Sequence, residues 1–294
     1  MITVPVAHRA ATPKLEGLRG LYPVLVRLGP VAIATHDAFT VAAILVGLAL
    51  YYAELRRRGW LDSRTVWISL AAVFGAGLGA RLITLWERPE VIAAAASMPL
   101  SMAIEHSGKS IIGAIAGGYV AITLAKRAFG YTRSTGDAYA LAIPVATIVG
   151  RIGCFLTELP LGTPTNLPWG MRVTPGAAAA FPVCPGCGGP MHPSMLYEIG
   201  FNIVAALVIV RWRHRVPVAG ETLKLYLLAA GIFRFLVEYV RANPPQALGL
   251  SAPQWVLIPL VTLVAIHVVR QLLSGAWRVP LPPPAHVVAL EVRP

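Results

Sequence analysis

The chain has 294 residues, 56% of them hydrophobic and only 13% charged, and its mean hydropathy is +0.66. A soluble domain carries about 25% charged residues, so this composition excludes an ordinary soluble fold. The formal net charge of +12 falls in short basic clusters between apolar runs, the habit of cytoplasmic loops in membrane proteins, and no nucleic-acid partner is expected.

The N-terminal segment holds Arg9, Lys14, Arg19 and Arg27 and shows no uninterrupted apolar core of the signal-peptide type. A membrane-crossing helix needs about 20 mostly apolar residues. Runs of that kind lie near 37–54, 66–86, 111–125, 138–157, 194–211, 222–240 and 254–273. The pattern predicts an all-α, polytopic membrane protein of about seven transmembrane helices. The third run is short and is expected to begin earlier, around Ser107; its Gly113, Gly117 and Gly118 permit close helix packing.

The loops set the expected orientation. Arg56, Arg57, Arg58 and Arg64 follow the first run, Lys126, Arg127 and Arg133 the third, and Arg211, Arg213 and Arg215 the fifth. The positive-inside rule assigns these to the cytoplasm, which puts the N-terminus outside and the C-terminus in the cytoplasm. The basic N-terminal segment runs against that orientation. Segments 87–110 and 158–193 are then the long outward loops, the second dense in Pro and Gly. Residues 1–278 are expected to form one transmembrane domain, and 279–294 a Pro-rich cytoplasmic tail.

Charges within apolar runs are costly unless paired or hydrated, which makes them candidates for function. Arg81 lies in Gly79-Ala80-Arg81-Leu82, where it either snorkels or serves a site. Arg151 sits between Gly150 and Gly153, which allow a ligand or another backbone to come close; the plainer alternative is an ion pair with Glu158. Arg234, Glu238 and Arg241 recur at i, i+4 and i+7 and are expected on one helical face. There a carboxylate can hold one guanidinium rigid while the other meets a phosphate, or the three form a structural ladder. His192 and Pro193 open the fifth run, with Tyr197 and Glu198 following. His192 is a candidate base or a helix cap. Cys184, Cys187 and His192, with Cys154, invite zinc, but two close ligands fall short of a four-ligand site. A local disulfide or free thiols suit the outward loop better, and neither metal nor cofactor is expected.

Taken in order, these residues resemble the bacterial prolipoprotein diacylglyceryl transferase family from about Thr35 to Leu273. The resemblance rests on Gly79-Ala80-Arg81-Leu82, Asp137 and Pro144, Gly150-Arg151-Ile152-Gly153, Leu167-Pro168-Trp169-Gly170-Met171, His192-Pro193-Ser194 with Leu196-Tyr197-Glu198, Phe233-Arg234-Phe235 with Glu238 and Arg241, and Leu248-Gly249-Leu250 before Gln254. It implies seven membrane helices in a bacterial cell (inner/plasma) membrane. It also implies transfer of the diacylglyceryl group of phosphatidylglycerol to the lipobox cysteine of a prolipoprotein signal peptide, releasing glycerol phosphate. Arg151, Arg234, His192 and Glu238 are then expected to be catalytic. Arg151, Arg234, Arg241, Arg81, Gly150, Gly153, Glu158 and Tyr197 are expected to bind the phospholipid.

The resemblance also has departures. Ile112 stands where the family has a histidine before paired glycines, His36 where it has a tyrosine, and Cys154 where it has an asparagine. Glu158 is one position out of register, with Leu159 aligned. These changes imply a divergent branch that keeps the arginines and lacks the family's base, leaving His106, Lys109 and His192 as stand-ins. Beside the transferase stand two other readings: a paralogue that moves a lipid to another acceptor, and a protein that only binds or transports an anionic phospholipid.

Overall fold

The computed structural model describes residues 24–28, 31–87, 110–178, 184, 186–213, 215–216 and 218–278. His106, Lys109 and the segment 279–294 lie outside the described residues.

The chain enters through an antiparallel hairpin, β1 (Val24–Leu28) and β2 (Val31–Ala34), so the fold is predominantly helical rather than purely so. Helix α1 (Thr35–Arg57) follows directly and ends with Arg56 and Arg57 at its carbonyl end, where cations suit the helix dipole. It is succeeded by α2 (Ser63–Glu87), α3 (Ile111–Ala128), a single turn α4 (Gly136–Tyr139), α5 (Ala142–Leu156), a short α6 (Pro175–Ala178), α7 (Ser194–Trp212), α8 (Glu221–Val237) and α9 (Ala252–Leu273). Five helical segments are long and apolar enough to cross a membrane: Thr35–Arg57, Ser63–Ile83, Gly136–Leu156, Ser194–Trp212 and Ala252–Leu273. Leu45, Phe74, Val204, Leu207 and Leu263 on these segments are exposed, as expected of helices that face lipid.

Two expectations about helix ends need correction. The third helix does not start near Ser107. It begins at Ile111, because Ser110 is extended and its hydroxyl accepts from Gly113 N at 3.4 Å, capping the first turn. The sixth run does not remain helical to Arg241. Helix α8 stops at Val237, a 3₁₀ turn spans Glu238–Val240, and Arg241 is extended. Pro244 and Pro245 lie three and four residues on, and the residue before a proline disfavours the helical region, so Asn243 cannot readily resume the helix.

Small residues set the helix contacts. Antiparallel α1 and α5 meet along a column in which Gly47 faces Ala146 and Gly150 faces Ala43, and a Cβ on Gly153 would lie 2.5 Å from Phe39 Cβ. The glycines beside Arg151 therefore serve the approach of α1. Helices α2 and α3 pack more closely still: a Cβ on Gly79 would overlap the Gly113 carbonyl oxygen, and the reverse holds. Such contacts let helix backbones touch in lipid.

Candidate functional site

Helix ends converge on one level: the start of α1, the end of α5, the start of α7, the end of α8 and the start of α9. The site is built from the side chains they carry there.

Arg151 leaves the last turns of α5 and is buried. Its partner is Glu198 of α7, with Nε 2.5 Å from Oε2, an ion pair whose N–H is not aligned for a hydrogen bond. The ion pair with Glu158, the plainer alternative for this arginine, does not form. Glu158, at φ 51°, accepts from Thr174 N at 3.0 Å and Thr174 Oγ1 at 2.7 Å, and so anchors the loop that leads into α6.

Arg241 takes the other oxygen of Glu198, Nη1 to Oε1 at 3.0 Å. It does so from an extended backbone that bridges Gly162 of the long loop, with Thr163 N donating to Val240 O at 3.0 Å and Ala242 N to Leu161 O at 3.0 Å. Its Nε lies 3.6 Å from Glu238 Oε2. Burial, then the neighbouring Arg234 guanidinium, pushes Arg241 down from the ordinary arginine value to about 10. It remains charged at neutral pH.

Glu238 is the second carboxylate of the ladder. Arg234 and Asn243 both donate to it, and Ser251 Oγ donates at 2.9 Å. Ser251 is the N-cap of α9, and its N–H is received by Gln254 Oε1 at 2.9 Å, while Gln254 Nε2 reaches Phe235 O at 3.2 Å. One polar net thus ties the end of α8 to the start of α9. Across the whole cluster three guanidiniums share two carboxylates, so among these groups one positive charge is uncompensated. Arg234 is the most open of the three, with a side chain 20% exposed against 10% for Arg151 and Arg241.

Other expected residues lie around this core. His192 sits in the loop before α7, its Nδ1 3.2 Å from the Tyr197 hydroxyl, which also accepts from Trp169 Nε1 at 2.8 Å. Gly162 lies so close to the His192 carbonyl that no Cβ fits, and this contact fixes His192 on the platform that carries Arg241. Arg81 is partly buried on α2, within the α2–α3 pair. Gly153 is packed on Phe39. Cys184 and Cys187 form a disulfide, which removes the zinc alternative for these two sulfurs.

Sequence reasoning noted Glu198 at the start of the fifth run but named no partner for it. It missed Asn243 and Ser251 as ligands of Glu238; the only signal was a serine N-cap followed three residues on by Gln254. It also treated His36 and Cys154 as separate departures; the structure packs Phe39, about one turn on from His36, against Gly153 beside Cys154.

The sequence matches the family described as prolipoprotein diacylglyceryl transferase over residues 23–270. Curated relatives called phosphatidylglycerol–prolipoprotein diacylglyceryl transferase are similar over most of their length. One from Bordetella parapertussis (strain 12822) is 34% identical over 256 residues, covering 81% of this chain and 91% of the relative. One from Cupriavidus metallidurans is 31% identical over 266 residues, covering 84% and 92%. One from Phenylobacterium zucineum is 30% identical over 281 residues, covering 87% and 90%.

Proposed function

The chain belongs to the prolipoprotein diacylglyceryl transferase family, and from that premise we propose that it transfers the diacylglyceryl group of phosphatidylglycerol to the lipobox cysteine of a prolipoprotein, releasing glycerol phosphate. The observation that carries the reading is the buried ladder Arg151–Glu198–Arg241–Glu238–Arg234 with one positive charge in excess. An uncompensated charge in a low-dielectric site attracts an anion, and a phosphodiester supplies one negative charge. As the carbon–oxygen bond breaks, a second negative charge grows on the phosphate. Guanidiniums already held in place by carboxylates stabilise it without reorganising. Glu198 and Glu238 set the geometry; Arg234, the most open guanidinium, is the one placed to meet the incoming headgroup, with Arg151 and Arg241 behind it.

The lipid acceptor and donor both live in a bilayer, and the helix ends support a seven-helix crossing. Site residues fall at the start of α1, the end of α5, the start of α7, the end of α8 and the start of α9, with Ser110 at the start of α3 bonded to Ala80 O near the end of α2. That alternation is what seven successive crossings require. With the basic loops on the opposite side, the site faces outward and the C-terminus is cytoplasmic. A bacterial inner membrane is the location this fits.

Expression in a strain depleted of its own transferase tests the reading. Lipidation of a lipobox substrate should return with the wild-type chain and not with Arg151→Ala. Absent lipidation with phosphatidylglycerol binding intact would replace the transferase by a lipid-binding relative, the alternative that Ile112 in place of the family histidine favours.

A further inference from the structure

A second cluster of charge lies at the other end of the helices. In the last turns of α1, Glu54 accepts from Arg57 Nε at 2.8 Å and Nη2 at 2.6 Å, and from Arg58 Nε at 2.7 Å. Arg213, which closes α7, brings its Nη1 to Glu54 Oε2 at 3.2 Å. One carboxylate thus gathers three guanidiniums. These side chains border a cavity of about 210 Å³ whose other carboxylate is Asp137. Asp137 accepts from Gly220 N at 2.8 Å and Leu223 N at 3.4 Å, so its oxygens serve the head of α8. Three cations against two anions leave the cavity one positive charge in excess. Arg213 Nε is buried without an acceptor among the described residues. Ion pairs built only to join α1 to α7 would need neither the extra cation nor the space.

The lining is graded along the membrane normal. Leu50 stands one turn before Glu54 on α1, Ile209 one turn before Arg213 on α7, and Leu141 one turn after Asp137. On each of these three segments the apolar residue is the deeper one, since α1 and α7 run toward the cavity and the chain after Asp137 runs away from it. A soluble anion has no use for that wall; a lipid sets its glycerol and acyl ends against it. We propose that the cavity is a second lipid site, taking the phosphate of an anionic phospholipid from the leaflet opposite the arginine ladder. That leaflet is the cytoplasmic one in the orientation given above, where basic pockets between helices take such headgroups. A phosphodiester supplies the one missing negative charge and accepts from Arg58 and Arg213, the less exposed guanidiniums at 22% and 24%. About 15 Å of helix rise separates Leu141 from Arg151, so this lipid is not the donor, and the site does not depend on the transferase reading.

The test is native mass spectrometry of the full chain in detergent, titrated with phosphatidylglycerol, with the thermal midpoint as the check on folding. Arg58→Gln with Arg213→Gln should retain one lipid fewer than wild type, its affinity there falling on the order of tenfold or more. Ala53→Phe keeps every charge but fills the cavity from an exposed position in its lining, and it should lose the same lipid. Arg56→Gln, exposed and outside the cavity, should keep it. Phosphatidylcholine and millimolar inorganic phosphate should not displace it. Equal lipid counts in wild type and the folded cavity variants would overturn the inference. So would an equal loss in Arg56→Gln, which means diffuse attraction, or displacement by phosphate, which gives the cradle to a soluble anion. A wild-type chain that fails to lipidate a lipobox peptide but shows the one-lipid difference would remove the transferase reading and leave this site standing.

Discussion

Arg241 and Glu198 meet Nη1 to Oε1 at 3.0 Å, although one is an extended residue after α8 and the other lies in the second turn of α7. That contact, with Arg151 on the opposite oxygen, makes Glu198 the centre of the site rather than an accessory to it. Removing one member of a buried ion pair leaves the partner's charge unsolvated and costs about 3–5 kcal/mol. Glu198→Gln should therefore lower the thermal midpoint in detergent more than Arg234→Gln does, because Arg234 is the more exposed and its loss leaves Arg241 on Glu238. The check is a thermal-shift comparison of the two variants; equal midpoints would count against Glu198 as the centre.

Ser251 has two tasks, capping α9 and donating to buried Glu238. A hydrogen bond to a charged group is worth about 1.5–3 kcal/mol. Ser251→Ala should cost that order in stability, and Ser251→Thr should recover most of it. Denaturation in a common detergent measures both.

Glycines at close contacts differ from those in open space. A Cβ on Gly153 would lie 2.5 Å from Phe39 Cβ, whereas one on Gly77 meets nothing within 4 Å. Gly153→Ala should destabilise by about 1–3 kcal/mol and lower transfer, by moving α1 against the helix that carries Arg151. Gly77→Ala should be neutral or slightly stabilising, since alanine favours a helix by about 0.5–1 kcal/mol over glycine. Paired stability and activity assays decide it.

The Cys184–Cys187 disulfide closes a very short loop. A loop of that size contributes about 2 kcal/mol in the chain-entropy account, and the arginine ladder makes no use of it. Cys184→Ser with Cys187→Ser should open the loop to proteolysis while phosphatidylglycerol binding persists.

Much of this was legible in the sequence because long apolar runs are hard to mistake and charges inside them are few. Arg151, Arg234, Glu198 and Glu238 stood out for that reason alone. What was not legible depends on chain geometry beyond one helix. The i, i+4, i+7 spacing put Arg241 on the helix of Arg234, but the helix gives way to a 3₁₀ turn after Val237, and extended Arg241 reaches the long loop and Glu198. Proximity in sequence suggested Glu158 for Arg151, yet Glu158 follows the end of α5 with a left-handed backbone and turns to Thr174. Phe39 and Gly153 are far apart in the chain, and only the packing of α1 on α5 brings them into contact.

The most direct measurement is mass spectrometry of a lipobox peptide incubated with the purified chain in phosphatidylglycerol bilayers. The account predicts a peptide carrying one diacylglyceryl thioether and an equal amount of released glycerol phosphate, with both absent for folded, lipid-retaining Arg151→Ala. An unmodified peptide with the wild-type chain, or full modification with Arg151→Ala, would contradict it.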